Sequence, residues 1–373
     1  MKSFLTPLAL GLTPYTPGEQ PKDRTYVKLN TNENPYPPSP KVFSAIQEAM
    51  DGLRLYPDPE SSSLCDGIVE ALHRNGHTGI GREHLFVGNG SDEVLAFAFP
   101  AFFTGKRVAF PNITYSFYPV YAQLFQTDVT LIPLDAAFQI KVEDYCNLNG
   151  GAADAEASTA GSDQIAGILI ANPNAPTGCC LSLEEIRRIL VANPDRLVLI
   201  DEAYVDFGGE SAASMVLEFD NLLVVQTLSK SRSLAGLRAG FAIGHPALID
   251  GLNRIKNSFN SYPMDRLAQA GARAAMLDQE YFDETCTMVI RTRERVAARL
   301  KELGFSVLPS KANFLFISHG EKPAAGLFAG LREKGVLVRY FAKPLIDNHL
   351  RVSIGTDQEM DVFLGALEEL LSK

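Results

Sequence analysis

No stretch of this chain approaches the roughly 18 uninterrupted apolar residues that a membrane-spanning helix needs, so an integral protein of that kind is excluded. Nor is there a basic run that could track a nucleic-acid backbone. Acidic residues number 44 against 34 basic ones, a formal net charge of −10, and a globally negative field repels polyanions. Cysteine is sparse. Cys65, Cys146, Cys179, Cys180 and Cys286 are odd in number and show no C-x-x-C spacing, which argues against a disulfide framework or a zinc knuckle and for reduced thiols. Metal catalysis has little support, because His73 and His77 share a helical spacing but enclose Gly76 and suggest no third ligand. The N-terminal segment MKSFLTPLALGLTPYTPGEQ has one lysine, an apolar stretch broken by prolines and no small-residue cleavage site. It does not read as a signal peptide, and a cytoplasmic location is the expectation.

What is present is apolar bulk, 46% of 373 residues, enough for two domains around one cleft. From about Lys41 to Gly244, amphipathic helical stretches alternate with short aliphatic runs: Leu85 to Val87, Arg107 to Phe110, Val129 to Ile132, Gly167 to Ile170, Leu197 to Ile200, Leu222 to Thr227 and Gly240 to Ala242. Several are apolar without alternation, as strands buried on both faces are, and the pattern predicts an α/β domain with a mostly parallel sheet flanked by helices. Ser182 with Glu185 makes a capping box that opens a helix ending by Pro194. After Ile255 the texture changes to a long helix from about Tyr281 to Leu303 and short runs at Ser306 to Leu308, Phe314 to Ile317, Val336 to Val338 and Leu350 to Ser353. A smaller α+β domain is expected there, closed by a helix capped by Thr356 and Glu359. The expected division is an N-terminal arm over 1–38, a large domain over 39–255 and a small domain over 256–373. The Gly-, Ala- and Ser-rich segment from Gly150 to Gln164 reads as a surface loop.

With so negative a chain, any anionic ligand must be held by local clusters of arginine, lysine and backbone N–H groups. One such cluster surrounds Lys230 in TLSKSRSLAGLRAGF, just past a candidate strand, at the end where open α/β sheets bind ligands. A lysine at a loop start is ordinarily a surface residue, but Thr227, Ser229 and Arg238 add hydroxyls and a guanidinium suited to phosphate. The preceding strand in RLVLIDEAYVDF delivers Asp201 at its mouth and Tyr204 three residues on. A carboxylate there needs a cationic partner, for which a protonated pyridine nitrogen is suited; a helix cap and a core aromatic are the plain alternatives. In FVGNGSDEVLAFAFP a Gly-rich turn with Gly88 and Gly90 leads into a helix near Ser91 and Asp92, whose first N–H groups can hold phosphate. Tyr115, in PNITYSFY, can stack on a planar cofactor or fill core. A nicotinamide dehydrogenase is disfavoured because position 93 is Glu where a dinucleotide fingerprint has a small residue. A cofactor-binding regulator has no spare segment for a DNA-binding domain.

These pieces, in the order Tyr56 in LYPDPES, Gly90-Ser91-Asp92, Tyr115, NPNAPTG from Asn172 to Gly178, Asp201 in DEAY, Ser229-Lys230 and Arg238 in GLRAGF, resemble the fold-type I pyridoxal-phosphate-dependent aminotransferases along essentially the whole chain. Within them the resemblance is to the histidinol-phosphate aminotransferases. It implies pyridoxal 5'-phosphate as cofactor, joined to Lys230 as a Schiff base, with Lys230 then moving the proton. It implies that Asp201 pairs with the pyridine nitrogen, that Tyr204 donates to the ring oxygen, that Tyr115 stacks, and that Gly90, Ser91, Asp92, Thr227, Ser229 and Arg238 surround the phosphate. Tyr56 resembles the residue that reaches the phosphate of the neighbouring subunit, so a homodimer is implied. Relatives often read NPNNPTG, whose second paired Asn contacts the ring oxygen; here Ala175 stands in its place, and Asn174 is the candidate substitute.

The C-terminal piece GVLVRYFAKPLIDNHLRVSIGTDQE places Arg339 and Arg351 on two candidate strands. By the same resemblance Arg351 holds a substrate acid group, and Arg339 with Tyr15 of the LTPY segment holds a substrate phosphate. The segment LNTNENPYPPSP, Leu29 to Pro40, is also typical of this branch. The implied reaction is between L-histidinol phosphate with 2-oxoglutarate and imidazole acetol phosphate with L-glutamate. A broad aromatic amino-acid aminotransferase and a lyase resembling threonine-phosphate decarboxylase are the alternatives. Cys179 and Cys180 read as packing residues.

Overall fold

Runs of aliphatic residues without alternation become strands covered on both faces. The computed structural model describes residues 4–148 and 164–372, so the loop expected from Gly150 onward lies outside the described residues, Gln164 apart. Seven strands make the larger sheet: β1 (Leu85–Gly88), β2 (Arg107–Pro111), β3 (Asp128–Ile132), β4 (Ile165–Ala171), β5 (Leu197–Asp201), β6 (Leu222–Thr227) and β7 (Gly240–Gly244). Their spatial order is β1-β7-β6-β5-β4-β2-β3. All neighbours are parallel except β7, which runs antiparallel to both β1 and β6. Side chains alternate between two apolar layers, as the two-residue period of a strand requires. Ile168, Ile170, Val198, Ile200, Leu222 and Val224 pack with the helices Pro40–Ala49, Ser62–Arg74 and Leu183–Ala192. Leu169, Leu199, Leu223 and Val225 face Ser91–Ala98, Tyr118–Leu124 and Pro246–Phe259. Each fully buried aliphatic contributes about 1.5–3 kcal/mol.

The smaller sheet has the antiparallel order β10-β11-β9-β8, with β8 (Phe305–Val307), β9 (Phe314–His319), β10 (Arg339–Tyr340) and β11 (Leu350–Ser353). The helices Gln279–Glu302, Ala324–Glu333 and Asp357–Leu371 cover it. The fold is thus the α/β arrangement expected, a large mostly parallel sheet with a smaller α+β unit. Both capping boxes form: Ser182 Oγ accepts from Glu185 N and Thr356 Oγ1 from Glu359 N, each at 3.3 Å. Among the described residues no helix is long and apolar enough to cross a membrane.

Packing corrects the expected division at two places. Met264, Ala268, Ala272, Ala275 and Met276 are buried in the core of the large sheet, so the helix Arg266–Leu277 goes with that sheet and not with the small domain that 256–373 assigned it to. Conversely, Val27–Lys28 pairs in parallel with Val336–Leu337, and Leu29 lies in the small-domain core, so this end of the 1–38 arm is an integral part of the small domain. Local periodicity is blind to both, because it records which face of an element is apolar and not which core receives it.

Candidate active site

Three adjacent parallel strands end at one edge. Ala171, Asp201 and Thr227 close β4, β5 and β6, with Ala171 opposite Asp201 in the register. Past these ends a cleft opens between the large sheet and the small domain. Tyr15, Ser91, Asp92, Tyr115, Asp201, Tyr204, Thr227, Ser229, Lys230, Arg238, Arg339 and Arg351 all line it. Residues more than 300 positions apart in sequence therefore share one cavity.

At its floor, Lys230 Nζ lies 3.4 Å from the Thr31 carbonyl oxygen and 5.8 Å from the centre of the Tyr204 ring. Asn34 Nδ2 donates to the Lys230 carbonyl at 3.0 Å and fixes the backbone that carries the amine. Asp201 is buried; Tyr118 donates to its Oδ2 at 2.9 Å, while Oδ1 has no partner. Burial pushes this carboxyl up to about 6, the Tyr118 bond pulling it down and the nearby Asp92 charge raising it. An enclosed carboxylate with one unsatisfied oxygen fits a cationic N–H group in the cleft.

The anion cradle is built from two close approaches. Gly90 has φ +81°, and a Cβ there would lie 2.7 Å from Arg238 Nη2; a Cβ on Gly240 would lie 2.3 Å from the Ser91 backbone nitrogen. Only glycine lets β7, the turn and the arginine meet at the start of the Ser91–Ala98 helix, whose first N–H groups have no acceptor within the helix. Thr227, Ser229 and Arg238 line the same cleft. The Asp92 carboxylate points away from this role: Oδ2 accepts from Arg238 Nη2 at 3.0 Å and Oδ1 from the Tyr115 hydroxyl at 2.8 Å. Burial, reinforced by Asp92, raises the Tyr115 phenol well above its ordinary value, so it remains a donor.

On the small-domain side, Arg339 and Arg351 stand opposite one another on β10 and β11. Arg351 Nη2 donates to the Asn30 carbonyl at 3.0 Å, and its Nε is buried without a partner. Loss of hydration, with Arg339 alongside, lowers the Arg351 guanidinium from its ordinary value. Two adjacent cations and an unsatisfied N–H are arranged for an anion. Arg339 meanwhile donates to the Thr16 and Pro17 carbonyls at 3.2 and 3.4 Å, and the Tyr15 ring packs at a tilt against Phe117 at 4.8 Å, so the N-terminal arm covers the cleft mouth.

Two expected residues are elsewhere. Asn174 is turned out of the cleft: its Nδ2 donates to the Ile113 carbonyl and Thr177 Oγ1 at 3.0 and 3.1 Å, holding the NPNAPTG turn, and Ala175 forms the wall. Asn174 is thus corrected from a cofactor ligand to a residue of the turn. Tyr56 is 78% exposed on the outer face, stacked on Tyr262 at 4.7 Å, away from the cleft of its own chain. Asn30, Thr31 and Asn32 also line the cleft, and neither they nor Tyr118 were given roles from sequence. The density of amides in LNTNENP was the available signal. Cys179 is buried in packing and outside the cleft lining.

The model of the family "Aminotransferase class I and II" matches residues 24–367, and histidinol-phosphate aminotransferase 1 of Bordetella parapertussis is 54% identical over the whole of both chains. The chain belongs to the class I and II aminotransferases, in the branch of the histidinol-phosphate enzymes. The histidinol-phosphate aminotransferase of Clostridium acetobutylicum is 52% identical to this aminotransferase, again over all of both chains. Among solved structures, the histidinol-phosphate aminotransferase of Sinorhizobium meliloti in complex with pyridoxal-5'-phosphate shares the fold, with a TM-score of 0.84 and 24% identity over 100% of this chain and 98% of that one. L-threonine-O-3-phosphate decarboxylase of Porphyromonas gingivalis shares it too, at TM-score 0.75 and 21% identity over 93% and 99% of the two chains.

Proposed function

We propose that this aminotransferase binds pyridoxal 5'-phosphate at Lys230 and transfers the amino group of L-histidinol phosphate to 2-oxoglutarate, giving imidazole acetol phosphate and L-glutamate, a step of histidine biosynthesis. One observation carries the reading: a single cleft brings the Lys230 amine, the unsatisfied Asp201 oxygen and the Arg339 and Arg351 pair together. The relatives above, more than 50% identical and named for this activity, support the substrate.

When bound, the cofactor supplies an electron sink that stabilises the negative charge left on the substrate carbon once its proton is gone. Lys230 anchors it and then holds and moves that proton. Asp201, as the anion, accepts from the ring nitrogen and keeps it protonated. Tyr204 donates to the ring oxygen, Tyr115 covers one face, and the N–H groups of Ser91 and Asp92 with Thr227, Ser229 and Arg238 grip the phosphate. Asp92 serves through its carboxylate, orienting Arg238 and Tyr115. Arg351 and Arg339, with Tyr15, hold the substrate phosphate or the carboxylate of the keto acid. The active form is a homodimer in the cytoplasm, in which Tyr56 reaches the phosphate of the partner subunit. Its exposure, beside exposed Met50, Leu53, Leu55 and Phe259, supports that reading.

The substrate assignment is tested by comparing kcat/KM for L-histidinol phosphate with that for L-histidinol and for aromatic amino acids. The phosphorylated substrate should be favoured by about 100-fold or more, and Arg339→Ala should remove about 10- to 100-fold of that preference, the weight of a charge-assisted hydrogen bond. Equal rates with an aromatic amino acid would instead indicate a broad aromatic enzyme, and release of carbon dioxide a lyase.

A further inference from the structure

The Tyr204 hydroxyl is approached from behind by a buried amide. Asn32 Nδ2 donates to it at 3.0 Å, and Asn32 is 1% exposed with a left-handed φ of +57°. The other bonds of that amide agree with this orientation. Ser353 Oγ, at the end of β11, accepts the Asn32 backbone N–H at 2.9 Å. Its one hydrogen is therefore free to go to Asn32 Oδ1, 2.8 Å away. Ser353 thus donates to Oδ1, and the NH₂ end faces the phenol. Asn313 Nδ2 in turn holds the Asn32 carbonyl at 3.0 Å, so backbone and side chain are both pinned.

A phenol oxygen that accepts from an amide keeps its own hydrogen available. The other face of Tyr204 is the cleft, with the Lys230 amine over its ring. No amide reaches the cleft from the NPNAPTG turn, since Ala175 is apolar and Asn174 is committed to Ile113 and Thr177. We infer that Asn32 is a positioning residue for Tyr204: locked by Ser353, its amide donates to the phenol oxygen and turns the hydroxyl hydrogen toward the cleft, where it donates to the ring oxygen of the cofactor on Lys230. This rests on the cofactor reading above. It also makes that hydrogen depend on three separate parts of the chain, the N-terminal segment, the loop after β5 and the last small-domain strand.

The test is the pH dependence of the near-visible absorption of the cofactor-loaded protein. A hydroxyl hydrogen on the ring oxygen competes with the proton of the Lys230 linkage, so losing it raises the midpoint of the spectral change. Asn32→Asp keeps the size and tolerates the left-handed backbone, but an ionised carboxylate only accepts and draws the Tyr204 hydrogen inward. The midpoint should rise by about one pH unit. Because a new charge alone could raise it, the same change is made in Tyr204→Phe, where it should add only a small fraction of that shift. Ser353→Ala, which adds no charge, should move the midpoint in the same direction by less, and carries the test if Asn32→Asp does not fold. An unmoved midpoint in Asn32→Asp or, failing that variant, in Ser353→Ala overturns the inference, as does an equal Asn32→Asp shift with and without the Tyr204 hydroxyl. Absence of any band in the wild-type protein would be a different failure, that of the cofactor assignment itself.

Discussion

At the scale of single residues, the site is written in atoms that the protein leaves unsatisfied. Asp201 Oδ1 and Arg351 Nε are buried without partners on opposite sides of the cleft, and each costs the fold free energy that a bound group of opposite charge returns. For Asp201 the consequence can be signed. Burial holds its carboxyl at about 6, above the ordinary aspartate value of about 3.9, so between those limits the folded state keeps a proton that the unfolded chain has released. Its contribution to stability is then fully present below about pH 4 and declines as pH rises through about 6. In the cofactor-free protein, the unfolding free energy of wild type minus that of Asp201→Asn should fall by roughly 2 kcal/mol between about pH 4 and pH 7. Denaturant titrations of both proteins would show it, and a difference independent of pH would contradict the account. Loaded with cofactor, the wild type should lose this slope, because the ring nitrogen then stabilises the anion.

At the scale of elements, the site depends on how closely β7 passes the start of the Ser91–Ala98 helix. Gly240→Ala would drive a methyl group to 2.3 Å from the Ser91 nitrogen, whereas a Cβ at Gly236 meets nothing within 4 Å. The first substitution should weaken cofactor retention by about tenfold or more by displacing the anion cradle, and the second should leave it unchanged; dialysis against cofactor-free buffer measures both. The strands were legible because a segment buried on both faces, such as Leu222 to Val225, has to be aliphatic throughout. Lys230 and Asp201 were legible because each falls at or just past the end of such a run, where a charge has no structural reason to be, and Arg238 because it adds a guanidinium to the hydroxyls around the lysine. The helix Arg266–Leu277 was misassigned because its small apolar residues mark a buried face without naming the partner. Asn30, Asn32 and Tyr118 escaped for a related reason. Amides and phenols are ordinary in loops, and their importance comes from what lies across the cleft, hundreds of positions away in the case of Ser353 and Arg351.

At the scale of the whole molecule, a chain of net charge −10 collects Lys230, Arg238, Arg339 and Arg351 around one cavity, which concentrates attraction for phosphorylated ligands where the global field opposes it. The proposed homodimer, in which Tyr56 serves the partner's site, makes a prediction at this scale: subunits with Lys230→Ala and subunits with Tyr56→Ala, each poorly active alone, should complement one another. Mixed dimers would contain one site with both lesions and one with neither, restoring about a quarter of wild-type activity at random assortment. No gain on mixing, in a preparation shown to exchange subunits, would place Tyr56 outside the site. The central claim, that Lys230 carries a cofactor that accepts the amino group of histidinol phosphate, is tested most directly by the absorption spectrum of the loaded protein. The near-visible band should vanish on adding L-histidinol phosphate and return on adding 2-oxoglutarate; a band that ignores the phosphorylated amine would contradict the claim.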